Sequence, residues 1–247
     1  MAKVEVEKVK KVRKKKLALT YVEPNDNFVS IALGVINEEK AYNASVKTPA
    51  LITGYNVNDL DNIRRVIIAH YATQQDTNFY FADFSSDSKE FGSNTKKMFT
   101  NFASNEESIR LLLNAFLADS SSQKVLFINN GLKLIEDDEL AGLVTKALEY
   151  STAAGTPVYI QSHGSFLTSG KPEVQATVFN SMNTVFMMGN LFDKELRAIF
   201  GPDKARVIKH LDKAQDAVYI KSEQPIVFQV YKLPAIWFKE RTKTVAK

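Results

Sequence analysis

Cysteine is absent from the 247-residue chain, which excludes a disulfide framework, a Cys-ligated zinc site, an iron–sulfur cluster and a thiol nucleophile. Three histidines, His70, His163 and His210, are too few for a histidine-rich metal cluster. No apolar run approaches the ~18 residues that a membrane span needs. The charged N-terminus is not followed by an apolar stretch, so no signal peptide is expected and the chain reads as intracellular. Ten glycines and seven prolines are scattered, and no Gly/Ser/Pro-rich stretch divides the sequence. What is present, 45% hydrophobic and 24% charged residues, is the balance of a globular protein able to bury a full core.

The net charge of +4 is unevenly placed. Residues 1–16 carry +6, residues 239–247 carry +3, and residues 17–238 carry −5. The basic character thus belongs to two tails on a mildly acidic body, whereas a nucleic-acid binder more often shows a basic face on the body itself. The expected organisation is a basic linker at 1–16, one folded domain at 17–238 and a basic tail at 239–247. Nucleic acid is not an expected partner, although the tails leave nucleic-acid or lipid binding as an alternative.

Beyond residue 48 the pattern alternates strand and helix. Apolar runs at 50–54, 78–83, 124–129, 157–160 and 184–188 read as strands of the buried parallel kind. Between them, Ile63, Val66, Ile67 and Tyr71 have helical spacing, with Arg64 and Arg65 expected on the outer face. Ser104 and Glu107 suggest a capping box before Ile109, Leu112, Leu113 and Phe116. Leu140, Leu143, Val144, Ala147 and Leu148 form another helical stripe, stopped by Gly155. Pro172 suits a first helical turn, residues 196–200 suggest a short helix, and 217–220 with 226–230 suggest a hairpin around Ser222-Glu-Gln-Pro225. The fold class expected is α/β, a mostly parallel sheet with helices on both faces.

A strand ending in glycine before a helix is where such proteins bind phosphates. The pattern G-x-x-x-x-G-K-[ST] supplies backbone N–H groups to wrap the phosphates, a lysine to reach them and a hydroxyl for Mg²⁺. Here the run from Gly54 has Asp59 for the second glycine, Leu60 for the lysine and Asp61 for the hydroxyl residue. The second half of such a site is an apolar strand ending in Asp and often Glu. Here residues 125–128 lead into Asn129 and Asn130, which can neither supply charge to Mg²⁺ nor act as a base. Asp59 and Asp61 are expected to cap the helix and fill the phosphate position with carboxylates.

The order TPALITGYNVNDLDNIRRVIIAHYA, NFYFADFSS, KVLFINNGLKL, GTPVYIQSHGS, NTVFMMGN resembles the FtsK/SpoIIIE class of P-loop ATPases. It is most similar to the C-terminal (third) ATPase domain of the EssC-type motors of type VII secretion in Gram-positive bacteria. The resemblance covers about residues 20–234. It implies a P-loop NTPase fold of the RecA-like/FtsK-like kind, in the cytoplasmic part of a cell-membrane protein with tandem ATPase domains and a hexameric assembly. It further implies preceding ATPase domains and WXG100-type secreted substrates as partners. ATP and Mg²⁺ are the family's cofactors. The replacements at Asp59, Leu60, Asp61, Asn129 and Asn130 lead us to expect none in this domain, with no catalytic residue and no metal. The expected role is substrate docking or regulation of secretion. A divergent ATPase active only in the assembled hexamer is the alternative.

Other residues have weaker readings. Gln161 lies where such ATPases carry a polar γ-phosphate sensor, with His163 beside it. Asp83 and Asp87 could form a carboxylate pair or a strand-end turn. His70 reads as a half-buried packing residue. Arg197 and Arg206 are equal candidates for an arginine finger. Phe99, Phe102 and Phe116 read mostly as core, and Trp237-Phe238 could pack on the body or on a neighbour.

Overall fold

The structure is a computed structural model that describes residues 28, 30–36, 40–74, 76–85, 96, 98–131, 137–167, 172–189, 191–208, 216–220 and 226–233. Both basic tails, Asp87, His210, Ser222–Pro225 and Trp237-Phe238 lie outside the described residues, as does the side chain of Arg206.

The strands are β1 (Ser30–Ile36), β2 (Lys40–Ser45), β3 (Ala50–Gly54), β4 (Asn78–Asp83), β5 (Asn101–Ala103), β6 (Lys124–Asn129), β7 (Val158–His163), β8 (Thr184–Met188), β9 (Asp216–Ile220) and β10 (Ile226–Val230). The α-helices are α1 (Val57–Thr73), α2 (Glu106–Ala118), α3 (Asp138–Ala154), α4 (Pro172–Ser181) and α5 (Asp193–Ile208). All ten strands form one sheet in the order β2-β1-β10-β9-β8-β3-β7-β6-β4-β5. From β8 to β5 the pairing is parallel. From β9 to β2 it is antiparallel, with Gly34 of β1 opposite Val230 of β10.

The parallel half follows from composition. All five residues of β3, all six of β6 and all five of β8 are buried, as strands covered on both faces must be. One core lies between the sheet and α1, built on Ile63, Val66, Ile67 and Tyr71. The other lies under α2, α3, α4 and α5. On the α1 side, Phe102, Phe81, Phe127 and Tyr159 sit in register on β5, β4, β6 and β7. Their rings stack in sequence with centroids 5.9, 5.3 and 5.8 Å apart. The ladder ends where the Tyr159 hydroxyl meets that of Tyr71 on α1 at 2.9 Å. Burial pushes the Tyr71 phenol well above its ordinary range, so the pair stays neutral.

Local signals set most element ends. Gly155 closes α3 at φ 68°, the left-handed cap its position suggested. α2 is capped one residue later than expected: the Asn105 side chain accepts from Ser108 N–H (2.9 Å), and Ser108 Oγ accepts from Asn105 N–H (3.3 Å). Ser104 and Glu107 are therefore not the box. At the other end of α2, the buried Lys124 ammonium donates to the carbonyls of Phe116 (2.9 Å) and Asp119, closing the helix C-terminus with a cation. The 196–200 stretch belongs to the longer α5, whose path breaks at Gly201 (φ 76°) before Pro202. His70 is fully buried rather than half-buried. Phe99 and Phe116 are core residues, and Phe102 is half-buried at the end of the ladder.

Candidate functional site

The carboxyl ends of β3, β4, β6, β7 and β8 share one edge, and β7 lies between β3 and β6. This edge is where open α/β sheets bind ligands. Gly54 ends β3 under an unusual constraint, since a Cβ there would lie 2.3 Å from the Met188 carbonyl oxygen at the end of β8. The chain then makes a turn of only two residues, Tyr55 and Asn56, before α1 begins at Val57.

That shortness changes the role of the residues expected to form the loop. Asp59, Leu60 and Asp61 are inside the helix, and the cap is Asn56. Its side chain accepts from the Asn58 N–H at 3.0 Å. Its carbonyl accepts from the N–H groups of Asp59 (3.2 Å) and Leu60 (3.1 Å). The Leu60 bond is the first ordinary bond of the helix, whereas the Asn58 and Asp59 N–H groups belong to the orphan donors that cradle an anion at a helix N-terminus, and both are engaged by one asparagine. Leu60 points into the core. Asp61 turns along the helix to Arg64, with Oδ1 2.7 Å from Nη2. The expectation that the acids cap the helix is corrected: an amide does, because Asn56 is the last residue before helical backbone begins.

Arg64 carries the largest departure from the sequence reading. It was expected to face outward and is only 4% exposed. Its Nη1 donates to Asn129 Oδ1 at 3.1 Å. With the Gln161 amide oriented to satisfy both its ends, the same nitrogen lies 3.0 Å from the Gln161 oxygen, and Gln161 donates to the Leu60 carbonyl at 3.3 Å. Asn129 in turn donates to Asp83 Oδ1 at 2.9 Å. Asp83 also accepts from the Ser85 N–H (2.9 Å) and hydroxyl (2.6 Å). Asp83, Asn129 and Gln161 occupy one register row across β4, β6 and β7. The structure therefore brings Asn129 and Gln161 together with Asp83 and bridges both amides with a guanidinium. Asn130 is apart from this row, in the turn after β6 with φ 55°. Periodicity could have found Arg64: Leu60, Ile63, Arg64 and Ile67 form one i, i+3, i+4, i+7 face, with Asp61 three residues before the arginine.

Beside the turn stands a second cluster. Tyr55 packs its ring on Gly164, where a Cβ would lie 2.7 Å from a ring carbon. Its hydroxyl donates to Glu195 Oε1 at 2.9 Å. Burial, then the bond to Glu195 and its charge, push the Tyr55 phenol up to about 12. The Tyr55 carbonyl lies 3.1 Å from His163 Nε2, and a carbonyl can only accept, so that nitrogen carries the proton. His163 Nδ1 then faces Ser165, accepting from its N–H at 3.3 Å. Phe192, 64% exposed, meets the Tyr55 ring edge-on at 5.0 Å. Arg197 is exposed and paired with Asp193 at 2.7 Å. Among the described residues, no group of three His, Asp or Glu side chains could hold a metal ion, and no helix is long and apolar enough to cross a membrane.

No family model matches the chain, and no curated protein matches it. Solved structures do. The chain is similar to the cytoplasmic domain of the Thermomonospora curvata type VII secretion ATPase EccC, with a TM-score of 0.63 and 11% identity over 89% of this chain and 30% of that one. It is similar to the pCW3 conjugation coupling protein TcpA with ATPγS, at 0.64 and 12% over 94% and 75% of the two chains. It is also similar to T. curvata EccC (ATPases 2 and 3) in complex with a signal sequence peptide, at 0.57 and 12% over 83% and 41%. The chain spans less than a third of the first of these structures. At such identities the likeness speaks for the architecture. With the parallel core, the central β3 and helices on both faces, this chain has the α/β fold of the P-loop NTPases.

Proposed function

We propose that this chain is an ATPase-fold domain of a membrane-anchored type VII secretion motor, of the kind that forms the C-terminal domain of EssC-type chains. Its role is to dock substrates or regulate secretion rather than to hydrolyse ATP. The second half of the reading is supported by how the chain's own groups are arranged at the turn after β3, where the fold would seat a triphosphate. Asn56 engages the N–H groups of Asn58 and Asp59 at the start of the helix, and Arg64 bridges its amide partners at the strand ends. A Mg-nucleotide arriving there finds leucine in the lysine position, an asparagine where the metal wants a carboxylate, and two of the helix's N-terminal backbone donors already used. The degenerate site is thus Gly54, Asp59, Leu60, Asp61, Asn129 and Asn130, with Gln161 tied to Arg64 instead of sensing phosphate. The secretion context rests on the likeness to EccC, one of whose structures holds a signal sequence peptide. By that likeness the partners are other ATPase domains of a longer chain and WXG100-type secreted proteins, in a hexamer on the cytoplasmic side of the membrane.

The test is calorimetry against Mg-ATP and, in parallel, against the C-terminal peptide of a WXG100-type substrate. We expect heat from the peptide and none from millimolar nucleotide. A nucleotide present at 100 times its Kd would stabilise the fold by about 2.7 kcal/mol, an easily read melting shift. Such a shift would overturn the reading. Turnover by the assembled oligomer, lost on Asn130→Ala, would instead establish the divergent ATPase.

A further inference from the structure

Glu195 stands on the first turn of α5 and is 0% exposed. A buried carboxylate has lost its hydration and is ordinarily paired or hydrogen-bonded at both oxygens. This one is served on one side only. Its Oε1 accepts from the Tyr55 hydroxyl at 2.9 Å and lies 3.5 Å from the Lys194 ammonium. Its Oε2 is buried and meets no donor among the described residues. Lys194 is a weak counter-ion, because its side chain is 68% exposed and it approaches the oxygen that Tyr55 already serves. Arg197, on the next turn of α5, is held by Asp193 at 2.7 Å.

The carboxylate adjoins aromatic rings. The Tyr55 ring, fixed by its packing on Gly164, meets His163 edge-on at 5.2 Å and Phe192 edge-on at 5.0 Å. Phe192 caps α5 through its backbone, its carbonyl accepting from the N–H groups of Glu195 (3.1 Å) and Leu196 (3.0 Å). Its ring stands in solvent and can swing without disturbing the helix start.

We propose that Glu195 seats a guanidinium carried on an apolar stem, the planar cation donating to Oε2 and the stem lying along the Phe192 ring. A guanidinium pairs with carboxylates, is weakly hydrated and stacks on aromatic faces. A hard divalent metal wants several carboxylate oxygens, and among the described residues no group of three His, Asp or Glu side chains could supply them. The site requires neither a nucleotide nor a role in secretion. A free small molecule and an arginine side chain of another polypeptide carry the same chemistry.

Scanning fluorimetry of the full chain with millimolar butylguanidinium chloride tests the site, against N-butylurea as the neutral isostere and sodium chloride at equal ionic strength. We expect a saturable melting rise with butylguanidinium alone. Glu195→Gln keeps the acceptor for Tyr55 and should weaken binding about tenfold or more, the measure of a charge-assisted hydrogen bond. Lys194→Ala removes the competing ammonium and should tighten binding about two- to fivefold. No saturable rise, an equal rise with N-butylurea, or an affinity indifferent to Glu195→Gln overturns the proposal. Should Glu195→Gln fail to fold by circular dichroism, Lys194→Ala decides, and an affinity that falls or stays there overturns it. A short apolar peptide with one central arginine separates the sources. Binding tighter than butylguanidinium makes the occupant a polypeptide side chain, equal or weaker binding makes it a free small molecule, and both uphold the site.

Discussion

Replacing Arg64 with methionine keeps the length of the buried stem and removes the fork. Two amide oxygens, those of Asn129 and Gln161, then lose their donor inside the protein. Each buried acceptor left unmade costs ~1–3 kcal/mol. The pair with Asp61, whose side chain is 22% exposed, adds at most ~1 kcal/mol. The expected loss is about 3–5 kcal/mol, the range for removing one partner of a buried charged pair. Arg64→Lys keeps the charge but reaches fewer acceptors and should cost about 1–3 kcal/mol. The decisive measurement is the double change Arg64→Met with Asn129→Leu. Leucine needs no donor, so the pair should cost at least ~1 kcal/mol less than the sum of the singles. Urea denaturation followed by circular dichroism reads all four proteins. A loss below ~0.5 kcal/mol for Arg64→Met, or strict additivity in the cycle, would refute the idea that a guanidinium satisfies the strand ends.

Arg64→Met should still show no melting shift with millimolar Mg-ATP, because the Asn58 and Asp59 N–H groups stay engaged by Asn56; a scanning fluorimetry series checks this. Asp119 is held at about 2. Burial works against its charge, but the Ser121 N–H, Asn78, the Ser121 hydroxyl and the Tyr80 hydroxyl outweigh it. A lowered carboxylate pKa stabilises fully above the unfolded value of 3.8 and is lost as pH falls toward 2. The half-exposed site screens the effect, so Asp119→Asn should flatten the acid limb of the stability profile only modestly in pH-dependent urea titrations. Phe127→Ala empties the middle of the aromatic ladder and should cost about 3–5 kcal/mol by chemical denaturation. Gly155→Ala forces a side chain into φ 68° and should cost about 1–2 kcal/mol in the same assay.

The parallel core was legible because each of its longer strands is a continuous apolar run, and α3 was legible because its stripe ends at a glycine. The hairpin of β1 and β2 was not. A bulge between Ala32 and Gly34 breaks the alternation of β1, and β2, on an outer edge, exposes Ala41, Asn43 and Ser45 in turn, so an alanine stands where a polar residue would mark the strand. β5, three residues long, is defined by pairing with β4 and has no periodicity of its own. At the site, the replaced positions Asp59, Leu60, Asp61, Asn129 and Asn130 could be read from spacing. The two-residue turn could not, since a pattern match counts residues without knowing where helical backbone starts. The role of Arg64 was not legible, because an arginine is buried only where partners from distant strands meet its charged end, and Asn129 and Gln161 lie far from it in sequence.

The antiparallel pairing of β1 with β10 has a mechanical consequence. Gly34 faces Val230, so Ser30 at the start of β1 and Leu233, three residues past β10, lie toward the same end of that strand pair. Tension applied through these two ends opens that pair like a zipper, one hydrogen bond at a time, instead of shearing many bonds together. A pulled domain would shed its antiparallel fringe at low force while β3, β6 and β7 kept their shape.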